Sequence, residues 1–450
     1  MKIGWHKQRA GEDNVTGNAA SPRVRSIQRT ALALLVCSGV INYIDRVTLS
    51  IGNPLIRQDL GLTIADMGVL LSAFLWAYAF SQLPVGALID RFGPHKLLSL
   101  GLALWSVAQA ACGIVVTFGQ FIVARVALGI GEAPQFPTGA RVVRDWFNVR
   151  ERGGATGIFN SASTLGSAIA APLLTGLMLT FGWRWMFIIM GGAGLVVALI
   201  WFLLYRDPAE MGLTEEEHQV LTEGDTTGGE KRVTLQQWGQ LFRFRTTWGM
   251  ILGYFGTIYI TWLFNSWLPA YLELERHMTI LHSGLASAVP ATCGIVGAVS
   301  GGFTVDYLVR RGVSPINSRK YQFSASLLGM AIFTILAAYA PNAALAIAFI
   351  SAAIFLGYVS SSTAWAMASV AAPANCTASI GSMQNFGGYI GGALAPTVTG
   401  FIVQATGSFV PALLLGAGIG VASAACYFFI IRDPITEAEL GMAPGAAYAD

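Results

Sequence analysis

The chain has 450 residues, 54% of them hydrophobic and only 11% charged, with a net charge of +3. Soluble globular proteins carry about 25% charged residues, so a chain of this length has too little polar surface to cover a water-soluble fold. A soluble enzyme and a disordered chain are poor fits, and +3 is too small for a phosphate-binding face. The 52 Gly and 12 Trp residues suit an integral membrane bundle with interfacial aromatics.

In chain order, residues 1–30 are polar and basic with no apolar core, and read as a tail rather than a secretory signal peptide. Apolar stretches of about 20 residues, long enough to cross a bilayer, then follow near 31–53, 66–89, 97–116, 119–140, 155–178 and 183–204. After a hydrophilic stretch come 248–271, 285–307, 322–340, 343–366, 378–403 and 408–431. The expected fold is therefore all-α and membrane-embedded, with twelve transmembrane helices in two six-helix bundles, 31–204 and 248–431, around a central cavity. A linker is expected at 205–247, with tails at 1–30 and 432–450. The cysteines (Cys37, Cys112, Cys293, Cys376, Cys426) lie in or beside apolar runs without metal-type spacing and read as packing residues.

Basic residues set the orientation, because Lys and Arg are retained on the cytoplasmic side. Of the 27 Lys and Arg, 22 fall in the tails, the linker and the segments after even-numbered spans, against Arg57, Arg184 and Arg276 on the other side. Both termini are expected in the cytoplasm, with the protein multi-pass in the cell inner membrane. An even number of spans follows.

The segment after the second span runs from Gly86 through Asp90-Arg91 and Gly93 to Lys96, and the segment after the eighth from Gly302 through Asp306 and Arg310-Arg311 to Gly312. Each has Gly, three residues, Asp, then basic residues and Gly, at matching places in the two halves. Such an internal repeat is a common way to build a transporter. Here the sequence resembles the major facilitator superfamily, whose signature loop Gly86–Lys96 is similar to. The resemblance implies a gating role for Gly86, Asp90 and Arg91: the acid caps a neighbouring helix, the Arg pairs nearby, and Gly permits close helix contact.

Ionisable residues inside spans are few. The first span contains Asn42-Tyr43-Ile44-Asp45-Arg46, and the fourth contains Arg125 and Gly129-Ile130-Gly131-Glu132-Ala133-Pro134. A mid-helix charge costs roughly 2.5–3.5 kcal/mol on insertion scales, so these groups are expected to pair or to face water. Asn42, Asp45 and Arg46 stand at i, i+3 and i+4, and Arg125 and Glu132 are seven apart, so each set shares a helix face. Both faces are expected to point into the cavity; the competing possibility is an ion-pair network that only fixes helix packing. Arginine is always charged and its fork can hold a carboxylate through two hydrogen bonds. Asp45 and Glu132, the only mid-span acids, can take up protons and release the arginines. Proton uptake and anion binding then favour each other.

These motifs, with Trp146-Phe147-Asn148-Val149-Arg150-Glu151-Arg152-Gly153, Phe159-Asn160-Ser161-Ala162-Ser163 and Gln384-Asn385-Phe386-Gly387-Gly388, look like the anion:cation symporter branch of that superfamily, which includes bacterial galactonate, glucarate and hexuronate transporters. The resemblance implies that Arg46 binds the substrate carboxylate with Arg125 as ion-pair partner and helper. It makes Asp45 and Glu132 the carriers of coupling protons. Tyr43, Tyr78, Asn160, Ser361, Ser362 and Asn385 would offer hydrogen bonds to the substrate. Ser163 is counted with them, although sugar-acid members more often carry the longer Gln there. Rival roles are helix packing for Ser360–Thr363 and a backbone contact for Asn385; Trp262, Trp267 and Trp365 read as interfacial anchors first and as gate elements second.

The expected function is proton-coupled import of a small organic anion, a sugar acid (aldonate, aldarate or uronate), by alternating access. An aromatic or dicarboxylic acid importer, sodium-coupled or exchange transport, and a sensor or channel on the same bundle are the alternatives. No enzyme constellation, cofactor loop or metal cluster is legible, and no nucleic-acid partner is expected. The partners are the substrate, protons and membrane lipid, and the chain is expected to act as a monomer.

Overall fold

A computed structural model describes residues 21–223, 239–373, 376–436 and 438–440. The fold is helical throughout this part, with no strand among the described residues. Nine of the described helices are long and apolar enough to cross a membrane. Each of the twelve expected stretches is helical, but the boundaries follow caps and prolines rather than apolarity alone.

Helix α1 (Pro22–Leu60) starts well before the apolar run, because Ser21 accepts a hydrogen bond from the Val24 N–H and Pro22 stands at the first helical position. It closes at Gly61. Thr63 and Asp66 form a capping box that opens α2 (Ile64–Cys112). Two expected spans, 66–89 and 97–116, are the two legs of α2, which is kinked at Gly93 (φ 78°), just before Pro94. Gly93 is needed twice over: its φ is one that L side chains avoid, and a Cβ there would strike the Asp207 carboxylate. Asp207 caps the second leg from outside, accepting the His95 N–H at 3.2 Å. Gly312 (φ 88°) turns the chain at the matching place in the other half, so the echo read from sequence extends to backbone conformation.

The expected span 119–140 is broken into α3 (Phe118–Glu132) and α4 (Gln135–Trp146). Pro134 and Pro137 lack the N–H groups that the helix ladder needs. The carbonyl of Ala133, left without its partner at Pro137, accepts a bond from Gln82 Nε2 at 3.1 Å. Helices α5 (Val149–Phe181) and α6 (Trp183–Leu204) follow. The stretch expected to be a plain linker contains a short capped helix, α7 (Glu215–Thr222). Ser21 Oγ donates to Glu217 of α7 at 2.7 Å and Arg23 to the Met211 carbonyl, so this part of the connection is fastened to the start of α1. The second set comprises α8 (Arg245–Leu274), the short α9 (Ile280–Ala286), α10 (Ala288–Arg310), α11 (Pro315–Ala338), α12 (Ala343–Ala371), α13 (Thr377–Thr406) and α14 (Val410–Ile430).

Within the first set α1 packs on α5 and α6, and α2 on α3 and α6; within the second α8 packs on α13 and α14, and α12 on α10 and α11. Between the sets α2 meets α13, α1 meets α8 and α5 meets α10. Cross-set hydrogen bonds gather at the end away from the basic turns. There Ser50 Oγ donates to the Ser266 carbonyl (2.8 Å), Thr397 bonds Ser72 Oγ (2.7 Å), and the Ile64 N–H reaches Gln404 (3.2 Å). Gly68 lets α2 lie directly on the Pro396 carbonyl of α13. At the basic end Gly86, Gly153, Gly154 and Gly302 meet nothing within 4 Å of where a Cβ would stand. Among the described residues the two sets are thus fastened at one end, with open space around these glycines at the other. Large apolar side chains such as Leu199, Leu203, Val296 and Phe429 lie on the outer surface, which suits lipid rather than water.

Candidate functional site

Between the sets lies a cavity of about 740 Å³. Arg46 on α1 reaches it from one wall. Its guanidinium sits 4.6 Å from the Tyr78 ring centroid, 4.9 Å from Tyr43 and 5.6 Å from Phe74, a box of π faces that favours a cation. Its Nε donates to Glu132 Oε2 at 2.9 Å, in a pair that is almost wholly buried. Arg125 lies 5.0 Å from the Phe74 ring centroid, so Phe74 has two guanidinium groups near its ring. Close helix approaches hold these groups. Gly166 lets α5 lie against Val40 and Tyr43, and Gly129 lets α3 lie against the Phe74 backbone.

The cavity brings together Arg46, Tyr43, Tyr78, Asn160, Ser163, Ser361 and Asn385 from those read in the sequence. It does not take in Arg125 or Ser362; Arg125 is 1% exposed behind the wall, and Ser362 packs against Gly301 of α10. Asp45 and Glu132 are likewise completely buried off the cavity surface. The shared-face expectation is corrected here: neighbouring helix residues project about 100° apart, so Arg46 and Tyr43 face the hollow while Asn42 and Asp45 turn inward. The four charges also pair only in part. Among the described residues no carboxylate lies within 4 Å of Arg125, whose Nε and Nη1 have no hydrogen-bond partner there, and no group stands at hydrogen-bonding geometry to either Asp45 oxygen. Buried, unpaired polar atoms of this kind carry a large desolvation cost and are therefore candidates for a functional role.

Other residues depart from expectation. Trp262 and Trp365 line the cavity instead of anchoring at the membrane surface, and Trp267 is buried with its Nε1 donating to the Pro396 carbonyl at 3.1 Å. Ser360 and Thr363 do pack between helices, with Thr363 donating to the Val359 carbonyl. The Ser163 hydroxyl donates to the Asn160 carbonyl of its own helix (2.7 Å), leaving its oxygen as an acceptor. Of the gating trio, Gly86 is exposed with open space where a Cβ would stand, and Arg91 is exposed over the Phe92 ring; the Asp90 side chain lies outside the described residues. Sequence reasoning missed Gln82, Tyr254, Asn265, Tyr358 and Tyr389. Asn265, a mid-span amide, was the one with a legible signal.

A family model for the Major Facilitator Superfamily matches residues 35–396. The chain belongs to the Major Facilitator Superfamily. It is a multi-pass membrane transporter and not an enzyme. It is 42% identical over 417 residues to a probable L-galactonate transporter of Escherichia coli (strain K12), covering 93% of this chain and 92% of that one. It is 35% identical to a probable galactarate/D-glucarate transporter of Bacillus subtilis (strain 168), covering 87% and 89%. In fold it matches the inward-facing, occupied crystal structure of a bacterial homologue of the human lysosomal transporter Spinster, with a TM-score of 0.77 at 20% identity over 91% of this chain and 97% of that one.

Proposed function

We propose that this superfamily member imports a small sugar acid together with protons by alternating access. The observation that carries the reading is the buried Arg46–Glu132 pair, 2.9 Å long, whose arginine also lines the cavity. Protonation of Glu132 removes the negative partner and leaves the guanidinium's charge unbalanced in a low-dielectric site. A substrate carboxylate then supplies the missing charge, with two hydrogen bonds from the fork. Linkage makes the effect mutual: bound anion favours bound proton. Asp45, completely buried with no ion-pair partner within 4 Å among the described residues, is the second proton carrier, and Arg125 biases it electrostatically from behind the wall.

Tyr43, Tyr78, Asn160 and Ser163 from one wall, and Ser361 and Asn385 from the other, hydrogen-bond the hydroxyls. The helices of 31–204 and 248–431 are the two rocking bodies, with Gly86, Asp90 and Arg91 closing the basic end once it moves together. With that end cytoplasmic, the present conformation is the one that releases substrate inward. The relatives named for galactonate, galactarate and D-glucarate support the sugar-acid class. The aromatic lining (Tyr254, Tyr358, Trp262, Trp365) also suits a second reading, an aromatic monocarboxylate.

The deciding experiment is uptake into proteoliposomes from a panel of sugar and aromatic acids, with and without an inward proton gradient. Uphill accumulation of a sugar acid that collapses with the gradient is the expected result; gradient-independent uptake overturns the coupling.

A further inference from the structure

The charge on the cavity surface is as informative as its shape. Among the described residues that line the hollow, Arg46 is the sole side chain charged at neutral pH; there is no carboxylate and no second cation. Arg125, Glu132 and Asp45 stand behind the same wall, buried in the first set of helices. The facing wall, from α8, α12 and α13, presents Tyr254, Asn265, Tyr358, Ser361, Asn385 and Tyr389. These are neutral hydroxyls and amides on aromatic supports, and Tyr254 and Ser361 are already bonded to each other at 2.9 Å.

We infer that the transporter selects a polyhydroxy monocarboxylate over the dicarboxylate of the same chain length. The inference rests on the sugar-acid reading and narrows it. A carboxylate on Arg46 leaves the far end of a six-carbon chain against the neutral wall. A terminal CH₂OH there donates and accepts hydrogen bonds with amide and hydroxyl partners. A second carboxylate at the same place gives up its water without gaining a cation, and desolvating an unpaired charge is far more costly than desolvating a hydroxyl. Tyr and Asn can donate to it, but neutral donors replace hydration only in part.

The test uses D-galactonate, L-galactonate and galactarate, because oxidation of C6 in either galactonate gives the same galactarate. Binding to the purified full-length protein at pH 7.5 is followed by intrinsic tryptophan fluorescence, to which Trp262 and Trp365 at the cavity contribute, with competition for uptake in proteoliposomes as a second readout. At least one galactonate is expected to bind about tenfold or more tighter than galactarate, equivalent to about 1.4 kcal/mol. Galactarate binding as tightly as the better galactonate overturns the inference while leaving the sugar-acid reading intact. Failure of all three to bind overturns both. Asn265→Lys and Asn385→Lys, on different helices so that one can fail to fold without loss of the test, place a cation on the facing wall. Each is expected to shift the galactarate-to-galactonate affinity ratio about tenfold towards galactarate; an unchanged ratio in a folded variant overturns the assignment of selectivity to that wall.

Discussion

On the α1–α6 side of the cavity four ionisable side chains lie at mid-span depth, Asp45, Arg46, Arg125 and Glu132; on the α8–α14 side the same depth holds tyrosines, tryptophans, serines and asparagines and no charge. The two sides share a sequence echo and a left-handed glycine at the matching turn. What differs is the polar chemistry, and with it what each side can hold. Charge in a membrane interior is tolerated only when it is paired or used. Under the proposed function, concentrating it on one wall lets that wall exchange protons and anions, while the other reads hydroxyls without competing for the carboxylate.

Breaking this asymmetry at its centre has the largest expected effect. Arg46→Ala removes the one cation among the described residues of the cavity surface and should weaken anion binding by about 100-fold or more, the loss of two charge-assisted bonds at roughly 1.5–3 kcal/mol each, with uptake abolished. Because the substitution also strands Glu132, the double variant Arg46→Ala with Glu132→Gln separates a folding defect from a binding one: it should fold and still not transport. Glu132→Gln alone should bind substrate and exchange it across the membrane, yet lose accumulation driven by a pH gradient; full gradient-driven uptake in this variant would place the coupling proton elsewhere. On the neutral wall, Asn385→Ala should raise the half-saturation concentration by about fivefold, the scale of one neutral hydrogen bond of about 1 kcal/mol, with proton coupling retained. A coupling defect there would break the division of labour between the walls.

The smallest effect lies outside the membrane, at the turn that distinguishes the first half from its echo. Burial raises the Asp207 carboxyl above its ordinary value, against the backbone N–H of His95 that stabilises its charged form. The folded state therefore holds a proton there more tightly than the unfolded chain does. The stability of the native protein relative to Asp207→Asn should be higher at acid pH and fall as pH rises from the ordinary carboxylate range through the raised value. Melting curves of the two proteins in detergent across pH 4–7 measure it, and parallel curves would remove Asp207 from the argument.

Much of this molecule was legible in the chain itself. Apolar length sets the rough place of the membrane stretches, nine of which stand among the described helices as long and apolar enough to span, and the distribution of Lys and Arg sets the expected orientation. The cost of a charge at mid-span singles out Asp45, Arg46, Arg125 and Glu132, because these are local, one-dimensional properties. The sequence could not say which of the four would reach the hollow. That depended on a rotation of about 100° per residue combined with how Gly166 and Gly129 seat α5 and α3 against their neighbours. Nor could it show that Pro134 and Pro137 divide one expected span and leave a carbonyl for Gln82 to satisfy, or that Tyr254, Tyr358 and Tyr389 join Arg46 from more than two hundred residues away. Such pairings exist only once two helix sets close on each other, where close packing across the interface, and not the pattern along either strand of sequence, decides which side chains share one space.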